Sequence, residues 1–136
     1  TFLIIKNFMK EDVFEPCFED NLEIELFNQP VLFGRKVVLD CNQISELSLG
    51  VEICEDLWLP DAPSQQLALN GATLILNPSA SNELTTKKDY RRQLVSVQSA
   101  KLICGYVYTN AGSGESTTDV VFSGHHMIVE NGSIFK

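Results

Sequence analysis

A chain of 136 residues, 44% apolar and 21% charged, is long enough to bury one core of its own, and one domain over 1–136 is expected. Its formal charge of −8 argues against nucleic acid as a partner. No run approaches the roughly 18 apolar residues of a membrane span, and Thr1-Phe2-Leu3-Ile4-Ile5 has neither the charged lead nor the cleavage site of a secretory signal, so a cytoplasmic location without a membrane is expected.

The acids Glu11, Asp12, Glu15, Glu19, Asp20, Glu23 and Glu25 accumulate without periodicity, which predicts a solvated loop or edge segment. Ile24–Phe27 and Val31–Phe33 then read as strands around the turn signal Asn28-Gln29-Pro30, and Lys36–Asp40 as a further one. Leu47 to Cys54 alternates, with Leu47, Leu49, Val51 and Ile53 on one face and Ser48, Gly50, Glu52 and Cys54 on the other. Pro63 to Asn70 predicts a short helix stopped by Gly71, and Ala72–Asn77 a buried strand of the parallel kind. A longer helix is expected from about Lys88 to Leu102, then a strand over Cys104–Tyr108. Strands over Asp119–Phe122 and Met127–Glu130 close the chain, with Asn131-Gly132 as a hairpin turn. The order strand–helix–strand–helix–strand followed by a meander predicts an α/β fold with a mixed β-sheet flanked by helices.

Four cysteines, Cys17, Cys41, Cys54 and Cys104, lie far apart with no metal-ligand spacing, so free thiols in a reducing compartment and no metal are expected. His125 and His126 are adjacent in an expected strand and would point to opposite faces, which suits structural roles better than a shared metal.

Cys54 ends a strand, faces away from its apolar row and enters a turn, the placement of a nucleophile presented to a cleft. A small buried hydrophobe is the commoner role for such a cysteine, and its residue type alone leaves both readings open. Glu55 and Asp56 would oppose formation of the thiolate, so a nucleophilic Cys54 needs a base and a cation from elsewhere. Ligands of open α/β sheets sit at the carboxyl ends of the strands, where the polar loops 55–63, 77–87 and 110–118 are expected. Gly112-Ser113-Gly114-Glu115 is no phosphate cradle, because no helix follows and Glu115 would repel an anion; a structural wall is expected.

The stretch Gly50-Val51-Glu52-Ile53-Cys54-Glu55-Asp56-Leu57-Trp58 resembles the nucleophile segment of the nitrilase, or carbon–nitrogen hydrolase, superfamily. Asn77-Pro78-Ser79-Ala80-Ser81, Asp89-Tyr90-Arg91-Arg92, Gln98-Ser99-Ala100, Tyr106-Val107-Tyr108 and Gly112-Ser113-Gly114-Glu115-Ser116-Thr117-Thr118-Asp119 are similar to one branch of it, the glutaminase domain of glutamine-dependent NAD⁺ synthetase.

That resemblance implies a nitrilase-like α/β/β/α sandwich, here partial, and amide hydrolysis by a Glu-Lys-Cys triad. Cys54 would attack the side-chain amide of glutamine, and the backbone N–H of Glu55 would join the Lys in holding the oxyanion. Glu55, Ser81 and Lys87 would meet the α-amino and carboxylate groups; the family often has Arg at the position of Lys87. The triad Glu is expected upstream of this chain and the triad Lys immediately before Thr1, so this segment alone is expected to be inactive. Lys6 is a cation at the wrong offset to replace that Lys. No cofactor is implied for this domain. ATP and Mg²⁺ belong to a synthetase domain, absent from these residues, that would take the ammonia to amidate nicotinate adenine dinucleotide. A homo-oligomer and that synthetase domain of the same parent chain are the implied partners. The alternatives are another superfamily amidase acting on a free amide or nitrile, and a non-catalytic interaction domain of the same fold.

Overall fold

The computed structural model describes residues 21–135 and the backbone of 2–4. Lys6, Cys17 and the acids from Glu11 to Asp20 lie outside the described residues. Of the acids expected in a loop or edge segment, Glu23 and Glu25 fall in an edge strand, β2 (Asn21–Leu26), which pairs antiparallel with β3 (Gln29–Gly34); β1 (Phe2–Ile4) adds to β3 in parallel. The hairpin turns at Phe27 and Asn28, whose φ angles of 52° and 57° are the paired left-handed values of a two-residue turn matched to strand twist. Pro30, expected in the turn, consequently enters the strand, opposite Glu25.

The second sheet holds six strands in the spatial order β4 (Val38–Asp40), β5 (Ser48–Val51), β6 (Leu74–Ser79), β7 (Gly105–Asn110), β8 (Met127–Glu130) and β9 (Ser133–Ile134). The central strands β5, β6 and β7 are parallel, and β4, β8 and β9 run antiparallel to their neighbours, giving the mixed sheet expected. Parallel neighbours need crossovers. These are α1 (Pro63–Leu69), between β5 and β6, and α2 (Lys87–Leu102), between β6 and β7.

Asp119–Phe122 is not a strand. Its polar groups are taken outside any sheet: Thr117 N–H donates to Val120 O at 2.8 Å and Phe122 N–H to Ser116 Oγ at 3.0 Å within the loop, and Val121 O accepts from the distant Glu83 N–H at 2.7 Å. That last bond pins the loop to the one after β6.

Register decides which face of the sheet is core. Gly50, Ile75, Tyr106 and Val129 stand in one cross-strand row, all buried, beneath Leu67 of α1 and Val95 of α2. The core face of β5 is therefore the row of Ser48, Gly50 and Glu52, and the apolar row of Leu49, Val51 and Ile53 is only half-buried. Gly50 explains the inversion. A Cβ there would come within 2.9 Å of Ile75 Cδ1 and 3.0 Å of Leu67 Cβ, so only a bare backbone lets α1 approach the sheet this closely.

Candidate active site

β5 ends at Val51, and Glu52 N–H extends its parallel pairing by one bond to Leu76 O at 3.1 Å. Two residues later the chain turns sharply. Cys54 opens a 3-10 turn, Cys54–Trp58, with φ of 54°, a left-handed conformation that a residue with a side chain adopts at a cost of about 1–3 kcal/mol. Two side chains hold it there. Asp56, fully buried, accepts Ile53 N–H at 3.1 Å on Oδ2 and returns its own N–H to Ile53 O at 3.1 Å. Asn77, at the carboxyl end of β6, accepts Cys54 N–H at 3.1 Å on Oδ1 and donates from Nδ2 to Cys54 O at 3.4 Å. Cys54 is half-buried, unlike Cys104, whose thiol burial and the nearby Glu52 push up to about 11.

Asn77 is itself fixed from below. Its Oδ1 also accepts Ser79 Oγ–H at 2.6 Å, and its Nδ2 donates to Tyr106 Oη at 3.0 Å. Tyr106 in turn donates to Glu52 Oε1, and Glu52 Oε2 accepts Ser64 N–H at 2.8 Å, completing the first turn of α1 in place of a capping side chain at Ala62. Ser64 Oγ accepts from Gln98 Nε2 of α2 at 2.9 Å. Glu52, Tyr106, Asn77 and Ser64 are each at most 1% exposed. A buried polar file thus runs from α2 to the backbone of Cys54, and each member is satisfied, as burial of polar groups demands. Burial raises the Glu52 carboxyl above its usual value, opposed by its bonds to Tyr106 and Ser64. Tyr106 is pushed well up by burial and by the Glu52 charge.

The loop after β6 supplies the other expected residues. Ser81 is buried, and its backbone is clamped to the end of β7: Asn110 Oδ1 accepts Ser81 N–H at 2.7 Å, and Asn110 Nδ2 donates to Ser81 O at 3.0 Å. Lys87, the first residue of α2, donates to Asn82 Oδ1 at 2.5 Å and lies 5.2 Å from the centre of the Trp58 ring. Trp58 is flanked by Tyr90, their ring centroids 5.2 Å apart. Burial and the Arg91 charge lower the Lys87 ammonium, while the charges of Cys54, Glu55 and Glu83 oppose that shift. Glu55 is exposed on the same turn as Cys54. Cys54, Glu55 and Lys87 therefore share one locality at the carboxyl edge of the sheet, with Ser81 on the next loop.

A residue group not foreseen from sequence braces that edge. Arg91, fully buried on α2, donates from Nη2 to Glu83 Oε2 at 2.7 Å, and Ser123 Oγ donates to the same oxygen at 2.6 Å. His125 Nδ1 lies 3.4 Å from Arg91 Nη1. The two histidines are in a loop, not a strand, and neither is at Cys54: His126 Nδ1 accepts Asn110 N–H at 3.2 Å. They line a separate cleft of about 710 Å³ with Glu83 and Lys88. In the Gly112–Glu115 loop, Glu115 Oε2 accepts Gly112 N–H at 2.8 Å, closing the turn on itself. Among the described residues no group of three or more His, Cys, Asp or Glu is placed to hold a metal, and no helix is long and apolar enough to cross a membrane.

The buried file was hidden by residue type: Glu52, Asn77 and Tyr106 read as members of three separate strands, with nothing in the residues to join them. Parity carries the signal that finds them, since Glu52 shares the face of Gly50, and Asn77 and Tyr106 the face of Ile75.

No family model matches the chain. It is 40% identical over 111 residues to a glutamine-dependent NAD(+) synthetase of Mycobacterium tuberculosis, covering 82% of this chain and 16% of the relative. Among solved structures it resembles a glutamine-dependent NAD(+) synthetase from Cytophaga hutchinsonii, with a TM-score of 0.77 and 26% identity over 96% of this chain and 21% of that one. A Nesterenkonia AN1 amidase from the nitrilase superfamily shares the fold, with a TM-score of 0.63 at 19% identity over 90% of this chain and 38% of that one. One structure of that amidase carries the acetamide moiety of fluoroacetamide covalently added at its active-site cysteine. The chain spans about one sixth of the length of such curated relatives. It has the nitrilase-like α/β fold, and by sequence it belongs with one segment of the glutamine-dependent NAD(+) synthetases.

Proposed function

We propose that this chain is the glutamine-hydrolysing part of a glutamine-dependent NAD⁺ synthetase, with Cys54 as the nucleophile. The carrying observation is the left-handed Cys54 at the carboxyl end of β5, gripped at both backbone groups by Asn77 and within electrostatic reach of the Lys87 ammonium. A thiol presented on a strained turn beside a cation is the arrangement covalent amide chemistry needs.

The Cys54 sulfur attacks the side-chain amide carbon of glutamine, forming a C–S bond while the carbonyl electrons move to oxygen. The Glu55 backbone N–H helps hold that oxyanion. Collapse restores the carbonyl, breaks the C–N bond and, with the proton lost by the thiol, releases ammonia. Water then adds to the thioester, the C–S bond breaks, and glutamate leaves with the thiol restored. Glu55, Ser81 and Lys87 receive the α-amino and carboxylate ends of the substrate. No cofactor or metal enters this step. ATP and Mg²⁺ act in a synthetase domain of the same parent chain, which uses the ammonia to amidate nicotinate adenine dinucleotide in the cytoplasm, within a homo-oligomer. The triad Glu and Lys of the family have no matched position in this chain, so the tests belong in the complete protein.

Cys54→Ala in the complete protein should abolish glutamine-driven NAD⁺ formation and leave the ammonia-driven reaction intact. Survival of both reactions would make Cys54 a core residue and overturn the proposal. Hydrolysis of simple amides with no glutamine activity would assign the site to a free-amide hydrolase instead.

A further inference from the structure

Glu52 is two residues from Cys54, fully buried, and on the opposite side of Asn77 from the thiol's backbone. Its hydrogen-bond partners, Tyr106 and Ser64, are themselves fully buried. A buried carboxylate is costly unless it is hydrogen-bonded, and the pattern of its hydrogen bonds suggests what a neutral side chain could not do in its place. Both Glu52 oxygens accept, one from Tyr106 O–H and one from Ser64 N–H. Because the Tyr106 proton is committed to Glu52, the Tyr106 oxygen can meet Asn77 only as an acceptor, which obliges Asn77 to turn its Nδ2 towards Tyr106. The Oδ1 is thereby left for Cys54 N–H.

We propose that Glu52 is a positioning residue for Cys54, acting through Tyr106 to fix the orientation of the Asn77 carboxamide and so the left-handed turn that aims the thiol. This role rests on Cys54 being the amidase nucleophile.

A glutamine in place of Glu52 has nearly the same shape but one donor end. With its oxygen kept on Ser64 N–H, its amide donates to Tyr106, the Tyr106 proton turns to Asn77, and Asn77 flips. An amide N–H then faces Cys54 N–H, and the turn loses its grip. With the amide reversed, its N–H meets Ser64 N–H and the start of α1 is frayed instead. Only an acceptor at both ends satisfies both neighbours.

The test is a kinetic comparison of Glu52→Gln, Tyr106→Phe and the double variant in the complete protein, each checked for native circular dichroism. Glutamine-dependent ammonia release should fall about tenfold or more in kcat for each single variant, with KM within about twofold, because misplacement of a nucleophile by about 1 Å acts on the chemical step. The double variant should be no slower than Tyr106→Phe alone, since the hydrogen-bonded route from Glu52 to Cys54 runs through Tyr106. A Glu52→Gln protein that melts earlier but keeps kcat within twofold, or a double variant in which the two losses multiply, would overturn the proposal. If Glu52→Gln does not fold, Tyr106→Phe alone decides by the same split between kcat and KM. Should the unmodified protein release no ammonia from glutamine, the proposed function fails. The positioning role is then read from iodoacetamide alkylation of Cys54, with Cys104 slow because its thiol lies at about 11. An alkylation rate at Cys54 unchanged by Glu52→Gln would end it.

Discussion

Asn77 holds Cys54 at both of its backbone polar groups, accepting the N–H at 3.1 Å and donating to the carbonyl at 3.4 Å across 23 positions of sequence. The relationship couples two parallel strands to one backbone conformation.

Asn77→Ala removes that grip and leaves Cys54 N–H and Tyr106 Oη short of partners in a buried setting. Each unsatisfied group costs about 1–3 kcal/mol, and the left-handed turn loses its support. A loss of about 2–4 kcal/mol is expected in urea unfolding, with glutamine hydrolysis reduced further than stability alone explains. A variant within about 0.5 kcal/mol of the unmodified protein would show that the turn is held by Asp56 instead.

Gly50→Ala tests the close approach of α1. The added methyl meets Ile75 Cδ1 at 2.9 Å, Leu67 Cβ at 3.0 Å and Ala72 Cβ at 3.2 Å, and the last two belong to backbone-anchored positions that cannot swing away. Overpacking of this kind costs about 1–3 kcal/mol. Ile75→Val removes the Cδ1 atom, so the double variant Gly50→Ala/Ile75→Val should recover part of the loss in thermal unfolding. Full additivity of the two destabilisations would contradict the contact.

Much of the layout was legible in the sequence. The helices around 63–70 and 88–102 and the strands at β5, β6, β7 and β8 are found within a few residues of their expected places, because hydrophobic periodicity and Gly or Pro punctuation report on local structure. Asp119–Phe122 misled because its Val-Val-Phe run has strand chemistry, while its partners, Thr117 and Ser116, are side chains a few residues away. The choice of core face on β5 was not legible from the strand itself, since the deciding contacts come from Leu67 and Ile75. The cysteine turn was visible as a motif. The polar file that supports it was not, because no local rule announces that Glu52, Tyr106 and Asn77 meet across three strands.

His125 gives the chain a pH dependence whose sign follows from its surroundings. Burial and the charges of Arg91, Lys88 and Arg92 lower its imidazolium below the ordinary 6.5, with Glu83 opposing. The unfolded chain then binds the proton first as pH falls, so stability is fully present above 6.5 and is lost progressively below it, down to the lowered folded value. His125→Gln should flatten the urea-midpoint profile in that window and leave it unchanged above pH 7.5. A profile as steep as that of the unmodified protein would place the titration elsewhere.

The role proposed for Lys87, holding the substrate, can be told apart from a role in the chemistry. Its ammonium stacks on Trp58, is tethered by Asn82 and feels the charges of Cys54 and Glu55, yet it is not placed on the reacting turn itself. Lys87→Met keeps the stem against Trp58 and removes the charge. A hydrogen bond to a charged group is worth about 1.5–3 kcal/mol, so KM for glutamine should rise on the order of ten- to a hundredfold while kcat changes little. Lys87→Arg should recover most of the affinity, since a guanidinium can reach the same carboxylate and stack on the same ring. A fall in kcat with KM unchanged would instead move Lys87 from holding the substrate to stabilising the transition state.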